Sequence, residues 1–192
     1  MRSMVLEELM QAQAALANLI TDEAALSKIE QGIGIVADCL RSGGRVWSAG
    51  NGGSMCDAMH FAEELSGRYR HDRPALAAIA FSDPGYLTCV GNDYGFEHVY
   101  SRAVQAHCKP GDVLVLFSTS GSSKNILAAA EAAKAAGVTV LGLTGKADSP
   151  LAARCDLCLA TPGGQYADRV QELHIKVVHI LIAGVERLLF NT

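Results

Sequence analysis

The chain has no block of five or more like charges, no uninterrupted apolar run near the ~18 residues a membrane span requires, and no repeated or low-complexity tract. Each absence excludes something. Sixteen Lys and Arg stand against twenty Asp and Glu, for a formal net charge of −4, which argues against a nucleic-acid or anionic-membrane surface. The most apolar segment, "VVHILIAGVERLLF", is broken by His179, Glu186 and Arg187, so it does not read as a membrane helix. The opening "MRSMVLEELMQAQ" lacks the apolar core and small-residue cleavage site of a secretory signal. The expectation is a cytoplasmic protein whose partners are neither nucleic acid nor a membrane.

What is present is an ordinary globular composition: 192 residues, 49% hydrophobic and 19% charged. A chain of this length buries roughly 70% of its unfolded surface and needs no disulfide or metal merely to hold together. The six cysteines, at 39, 56, 89, 108, 155 and 158, therefore read as small buried hydrophobes in a reducing compartment. Cys155 and Cys158 form a CxxC, but "CDLCLA" reads as a short strand. On a strand an odd separation sends the two side chains to opposite faces, which argues against chelation.

The first forty residues have helical periodicity, with Val5, Leu9, Leu16 and Leu19 in one segment and Leu26, Ile29, Ile33, Val36 and Leu40 in the next. "TDEA" at 21–24 supplies a cap and an acidic first turn for the second helix, and Gly43-Gly44 stops it. The first helix is amphipathic enough to pack against something outside its own domain. From residue 45 the pattern changes to short apolar runs, "RVWSAG", "ALAAIAF", "DVLVLFS", "VTVLGLT" and "CDLCLA", separated by helical stretches. That is the signature of βαβ units and a parallel sheet covered on both faces. "SSKNILAAAEAAKAAG" is the clearest crossover helix, and a long helix from about Asp168 to Phe190 closes the chain. One α/β domain results, with residues 1–43 as a helical extension and 44–192 as its core.

Ligands of open parallel sheets bind at the carboxyl ends of strands, which directs attention to "SAGNGGS", "SDPGYLTCVGND", "STSGSS" and "TGKADS". "FSTSGSSKN" ends a strand and opens a helix with hydroxyls at Ser118, Thr119, Ser120, Ser122 and Ser123. Hydroxyls, free backbone N–H groups and the positive end of a helix dipole together suit a phosphate; one hydroxyl would suffice for a cap. This is not a P-loop, which needs G-x-x-x-x-G-K-[ST]. Gly50-Asn51-Gly52-Gly53 is either a tight strand-to-helix turn or a place where a ligand lies against backbone. It is not a dinucleotide fingerprint, because "GNGGSM" lacks the third glycine. In "MHFAEEL", His60 and Glu64 share one helix face at i and i+4. They read as a surface salt bridge, as metal ligands, or as a base, Glu64, beside a ligand loop. Gln171, Glu172, His174 and His179 put a polar row into the last helix, either satisfied core groups or a site interrupting packing.

Taken in order, "GNGGS", "HFAEEL", "RP", "GND", "STSG", "LTG" and "ADRVQELHIKVVHIL" closely resemble the phosphoheptose isomerases of the sugar isomerase (SIS) domain family, over nearly the whole chain. The resemblance implies a flavodoxin-like three-layer αβα sandwich with a five-stranded parallel sheet and two N-terminal helices. It implies isomerisation of sedoheptulose 7-phosphate to D-glycero-D-manno-heptose 7-phosphate, the first step toward the heptose of lipopolysaccharide. Asn51, Gly52 and Gly53 would line the sugar, Asn92 and Asp93 would contact it from a neighbouring loop, and Ser118, Thr119, Ser120 and Ser123 would hold the phosphate. Glu64 would be the base and His179 the acid, with Glu64 and Gln171 also touching substrate. His60, Glu64, Gln171 and His179 would be ligands of a zinc ion, one per subunit and a modulator rather than an obligatory cofactor. The assembly implied is a homotetramer with active sites between subunits. One strain is visible: on a straight helix Gln171 and His179 lie ~12 Å apart along the axis, so the helix bends or the ligands come from different chains.

Overall fold

The computed structural model describes residues 1–164 and 166–190. Each of the five apolar runs contains one strand: β1 (Val46–Gly50), β2 (Ala78–Ala80), β3 (Val113–Ser118), β4 (Thr139–Thr144) and β5 (Leu157–Ala160). They form a single sheet in the order β2-β1-β3-β4-β5, every neighbouring pair parallel. β1 and β3 are buried at every residue, as central strands covered on both faces must be.

Alternate strand residues feed two cores. Val46, Val113, Val115 and Phe117 pack beneath α2 (Glu23–Arg41), α3 (Gly53–Ser66) and α7 (Ala167–Phe190). Trp47, Leu114 and Leu116 pack beneath α4 (Pro84–Tyr94), α5 (Val99–His107) and α6 (Lys124–Ala135). The result is the three-layer flavodoxin-like sandwich.

Asp22 caps α2 by accepting the Ala25 N–H at 3.0 Å, and Gly43, at φ 79°, ends it. α2 lies against α7 closely enough that a Cβ on Gly184 would come within 2.4 Å of Ile33 Cδ1. α1 (Arg2–Thr21) is different: Leu19 is its buried residue, while Met4, Val5, Leu6, Leu9 and Met10 are 47–66% exposed.

The cysteine reading needs correction. Cys39 and Cys108 are buried, but Cys56 and Cys89 are exposed and Cys155 and Cys158 are half-buried. Cys155 precedes β5 instead of lying on it, so strand alternation does not apply to the pair. Both sulfurs sit over Gly142, where a Cβ would meet Cys155 Sγ at 2.5 Å and Cys158 Sγ at 3.3 Å. Their mutual hydrogen bond pushes the Cys155 thiol up and the Cys158 thiol down. They join no cluster of three or more metal-ligating groups among the described residues.

Candidate active site

In this strand order the chain leaves β1 for one side of the sheet and β3 for the other, which opens a crevice between their carboxyl ends. "GNGGS" follows β1 and "STSGSS" follows β3, with Gly50 paired to Phe117 across the two. Gly50 is required sterically, since a Cβ there would lie 2.3 Å from the Ser54 carbonyl oxygen. Gly52 turns the chain into α3 at φ 57°. Asn51 does not point freely at a ligand: it exchanges two amide hydrogen bonds with buried Asn125, at 2.9 and 2.8 Å, which ties the glycine turn to the start of α6. The backbone of Gly52 and Gly53 stays exposed beside this tie. Gln171 lies over the same turn, its Oε1 only 2.6 Å from where a Gly53 Cβ would be.

The hydroxyls after β3 are not spent on capping. Ser123, at the N-cap of α6, makes no capping hydrogen bond and lies 3.4 Å from Ser118 Oγ. Ser118 Oγ accepts from the Gly121 N–H at 3.2 Å, and Ser122 Oγ donates to Ser120 Oγ at 3.1 Å. The loop is braced from behind, because the Thr119 and Gly121 carbonyls accept from Gly145 and Leu151 N–H at 3.0 and 2.9 Å. Thr119, Ser120, Gly145, Lys146, Tyr166 and Val170 line a cavity of about 210 Å³ beside it. A helix N-terminus, a row of hydroxyls not used as its cap and a nearby Lys146 are together the chemistry of an anion site.

A second cluster lies farther along α3 and α7, which run side by side in the same direction. Gly53 meets Gln171 at one end; seven residues on along α3 and eight along α7, His60 meets His179, their Nε2 atoms 3.3 Å apart. His60 Nε2 is also 3.2 Å from Glu64 Oε1. Tyr69 flanks His179 with ring centroids 5.8 Å apart, and Arg70 covers Tyr69 at 5.0 Å. Burial, and then the neighbouring His60, hold the His179 imidazole below its ordinary pKa. Ligating atoms of His60, Glu63 and Glu64 lie within 4.8 Å of one another.

The predicted residues therefore form two groups in one chain. Ser118, Thr119, Ser120, Ser123, Asn51, Gly52, Gly53 and Gln171 gather at the switch point, while His60, Glu64 and His179 gather farther down the seam. α7 is continuous, so no distortion of that helix brings Gln171 to His179. Asn92 and Asp93 are not on a loop but in the last turn of α4, exposed, hydrogen-bonded to each other and, through Asp93, to Cys89. His174 belongs to the core: it is fully buried against Phe117, neither ring nitrogen has a hydrogen-bond partner, and burial lowers its pKa to about 4. Glu63, Tyr69, Asn125 and Lys146 were missed by sequence reasoning. Glu63, Asn125 and Lys146 carried a signal, as polar residues inside stretches already singled out; Tyr69 carried none.

The sequence profile of the SIS domain matches residues 9–145. A curated phosphoheptose isomerase from Tolumonas auensis is 52% identical over 97% of both chains. The chain belongs to the phosphoheptose isomerase family. Solved structures of its members superpose closely. The phosphoheptose isomerase of Neisseria gonorrhoeae gives a TM-score of 0.89 at 34% identity, over 96% of this chain and 98% of that one. That of Francisella tularensis gives 0.88 at 30% identity, over 96% and 97%. As in other doubly wound sheets, this family member places sterically demanding glycines and a row of hydroxyls at the switch point.

Proposed function

We propose that the chain is an aldose–ketose isomerase converting sedoheptulose 7-phosphate to D-glycero-D-manno-heptose 7-phosphate, the first step toward ADP-heptose and the lipopolysaccharide core. The observation that carries this reading is a carboxylate and an imidazole, Glu64 and His179, joined through His60 on facing helices of a chain that also holds a built anion loop. A sugar-phosphate sensor has a use for the loop but none for that pair.

The reaction moves a proton between C1 and C2 through an enediol, so it needs a base, an acid and an anchor for the far end of the substrate. Glu64 takes a proton from C1, exchanges it with solvent at the enediol stage, and delivers a proton to C2. His179, its pKa held below the ordinary value by burial and by His60, donates its N–H proton to the C2 carbonyl oxygen and takes the C1 hydroxyl proton in return as the aldehyde forms. Ser118, Thr119, Ser120 and Ser123 fix the phosphate, with Lys146 beside them, while the sugar lies along Gly52 and Gly53, with Asn51, Asn92, Asp93 and Gln171 as its further contacts.

Two imidazole nitrogens and a carboxylate oxygen fit zinc, and His60, Glu64 and His179 would hold it. When bound, the ion would supply polarisation of the substrate carbonyl. A carboxylate engaged by a metal is a poorer base, so the metal modulates the enzyme and is not obligatory. Gln171, on the glycine turn, joins these ligands only from another chain.

The assembly follows the same logic. Glu64 lies ~16 Å along α3 from Gly53, and the exposed apolar face of α1 needs a partner, which together support a homotetramer with sites between subunits. The whole chain is one SIS domain, residues 1–43 being its helical extension. No helix among the described residues is long and apolar enough to cross a membrane, and the enzyme works in the cytoplasm on phosphorylated sugar. Incubation with sedoheptulose 7-phosphate, followed by NMR with and without chelator, tests the reading. Product should form and persist after chelation; no product under either condition overturns the activity, and loss only with chelator makes the metal obligatory.

A further inference from the structure

Arg73 lies between α3 and β2, outside every candidate ligand loop, yet its side chain is only 2% exposed. Every nitrogen of its guanidinium is engaged. Nε donates to Glu186 Oε1 at 2.8 Å, Nη2 to the Glu64 carbonyl at 2.6 Å, and Nη1 to the Leu65 carbonyl at 2.7 Å. Nη1 also reaches the Gly67 and Pro74 carbonyls at 3.2 Å. The Glu64 and Leu65 carbonyls belong to the last turn of α3, where no intrahelical N–H remains to satisfy them. A planar, permanently charged fork holds several such acceptors in one geometry, which a lysine does not.

Glu186, the other partner, is seven residues beyond His179 on α7, which puts it on nearly the same face and ~10 Å farther along. The side chain of Glu186 is 4% exposed. The seam between α3 and α7 is thus pinned at Gly53 against Gln171, met at His60 and His179, and pinned again where Arg73 grips the backbone of Glu64 and the carboxylate of Glu186. A buried ion pair is a poor source of net stability beside an apolar pair of the same shape; what it supplies is a fixed relative position of its two ends.

We propose that Arg73 and Glu186 are a positioning pair that sets the height and rotation of Glu64 against His179. The proposal rests on Glu64 and His179 being the base and acid. Neither Arg73 nor Glu186 contacts the anion loop, so disturbing the pair affects proton transfer while leaving substrate capture intact.

The test uses the full-length chain with Arg73→Lys and Glu186→Gln, assayed on sedoheptulose 7-phosphate well below the melting temperature, with near-UV circular dichroism to confirm folding. The expected result is a fall in kcat of about 10- to 100-fold, the scale on which small misplacements act. KM should stay within about twofold, and the primary isotope effect on kcat for substrate deuterated at C1 should rise. Folded variants that melt earlier but keep wild-type kcat overturn the proposal, because a purely structural pair predicts that pattern. Should Arg73→Lys not fold, Glu186→Gln carries the test, since it keeps an oxygen acceptor for Nε and removes only the charge. Glu64→Gln run alongside separates the two claims. Wild-type turnover in Glu64→Gln overturns the base assignment; an inactive Glu64→Gln with wild-type kcat in the pair variants overturns the positioning alone.

Discussion

Asp57 and His174 carry unpartnered buried polar atoms on opposite sides of the acid–base scale. Asp57, 8% exposed and with Oδ2 unpartnered, has its pKa raised by burial to about 6, the His60 charge offsetting part of this. A carboxyl whose folded pKa is raised contributes stability below its unfolded pKa of ~3.9 and loses it as pH rises through the folded value. Above pH ~6 the ionised form costs about 2–3 kcal/mol. Asp57→Asn should therefore raise Tm by several degrees at pH 8 and change it little at pH 4, measured by calorimetry. His174, with its pKa lowered to about 4, works the other way: its contribution is present above ~6.5 and is lost as pH falls toward 4. The two slopes oppose each other in the wild type; in Asp57→Asn the His174 slope stands alone, and Tm should fall steadily from pH ~6.5 to ~4. At this scale sequence reasoning singled out His60, Glu64, His179 and the Ser/Thr loop, because those residue types interrupt helical and strand patterns. It did not find Tyr69, and it marked Arg73 only as the "RP" of the family pattern without a role, since a stretch such as "GRYRHDRP" looks like any solvated loop until the fold turns Arg73 inward.

Among the elements, the anion loop stands on a single turn. Gly121 has φ 64°, and a Cβ there would lie 2.3 Å from Ser149 Cβ. Gly121→Ala should cost about 2 kcal/mol or more from the combined strain and overlap. It should also raise KM more than it lowers kcat, because it displaces the groups proposed to hold phosphate rather than those proposed to move protons. Steady-state kinetics and thermal melts on one preparation check both effects. The five strands and the crossover helix were legible in the sequence, since the strands of a parallel sheet covered by helices leave short apolar runs and α6 ends before Gly137, φ 70°. The error over Cys155 and Cys158 arose because β5 begins at Leu157, and element boundaries are weakly encoded. "GND" read as loop because its glycine and two turn-favouring residues outweighed the Asp83-Pro84 start signal that makes the stretch helical. The separation of Gln171 from His179 was legible, because it follows from the rise of a helix; that both meet α3 in parallel was not.

For the whole molecule, the proposed homotetramer rests on the exposed apolar side chains of α1 and the length of the α3–α7 seam. Light scattering should give about 80 kDa, four times the 20.2 kDa chain. Leu9→Glu, placed on the exposed face, should yield a smaller species with strongly reduced activity; a monomeric wild type with full activity contradicts the shared site. The central claim is that Glu64 moves a proton between C1 and C2 of a seven-carbon sugar phosphate. Its most direct test is turnover of sedoheptulose 7-phosphate in D2O, read by NMR for wild type and Glu64→Gln. The account predicts aldose product with deuterium at C2 for the wild type, and neither product nor exchange for Glu64→Gln although it still binds substrate. Deuterium incorporation by Glu64→Gln at the wild-type rate, or its absence in both proteins, contradicts it.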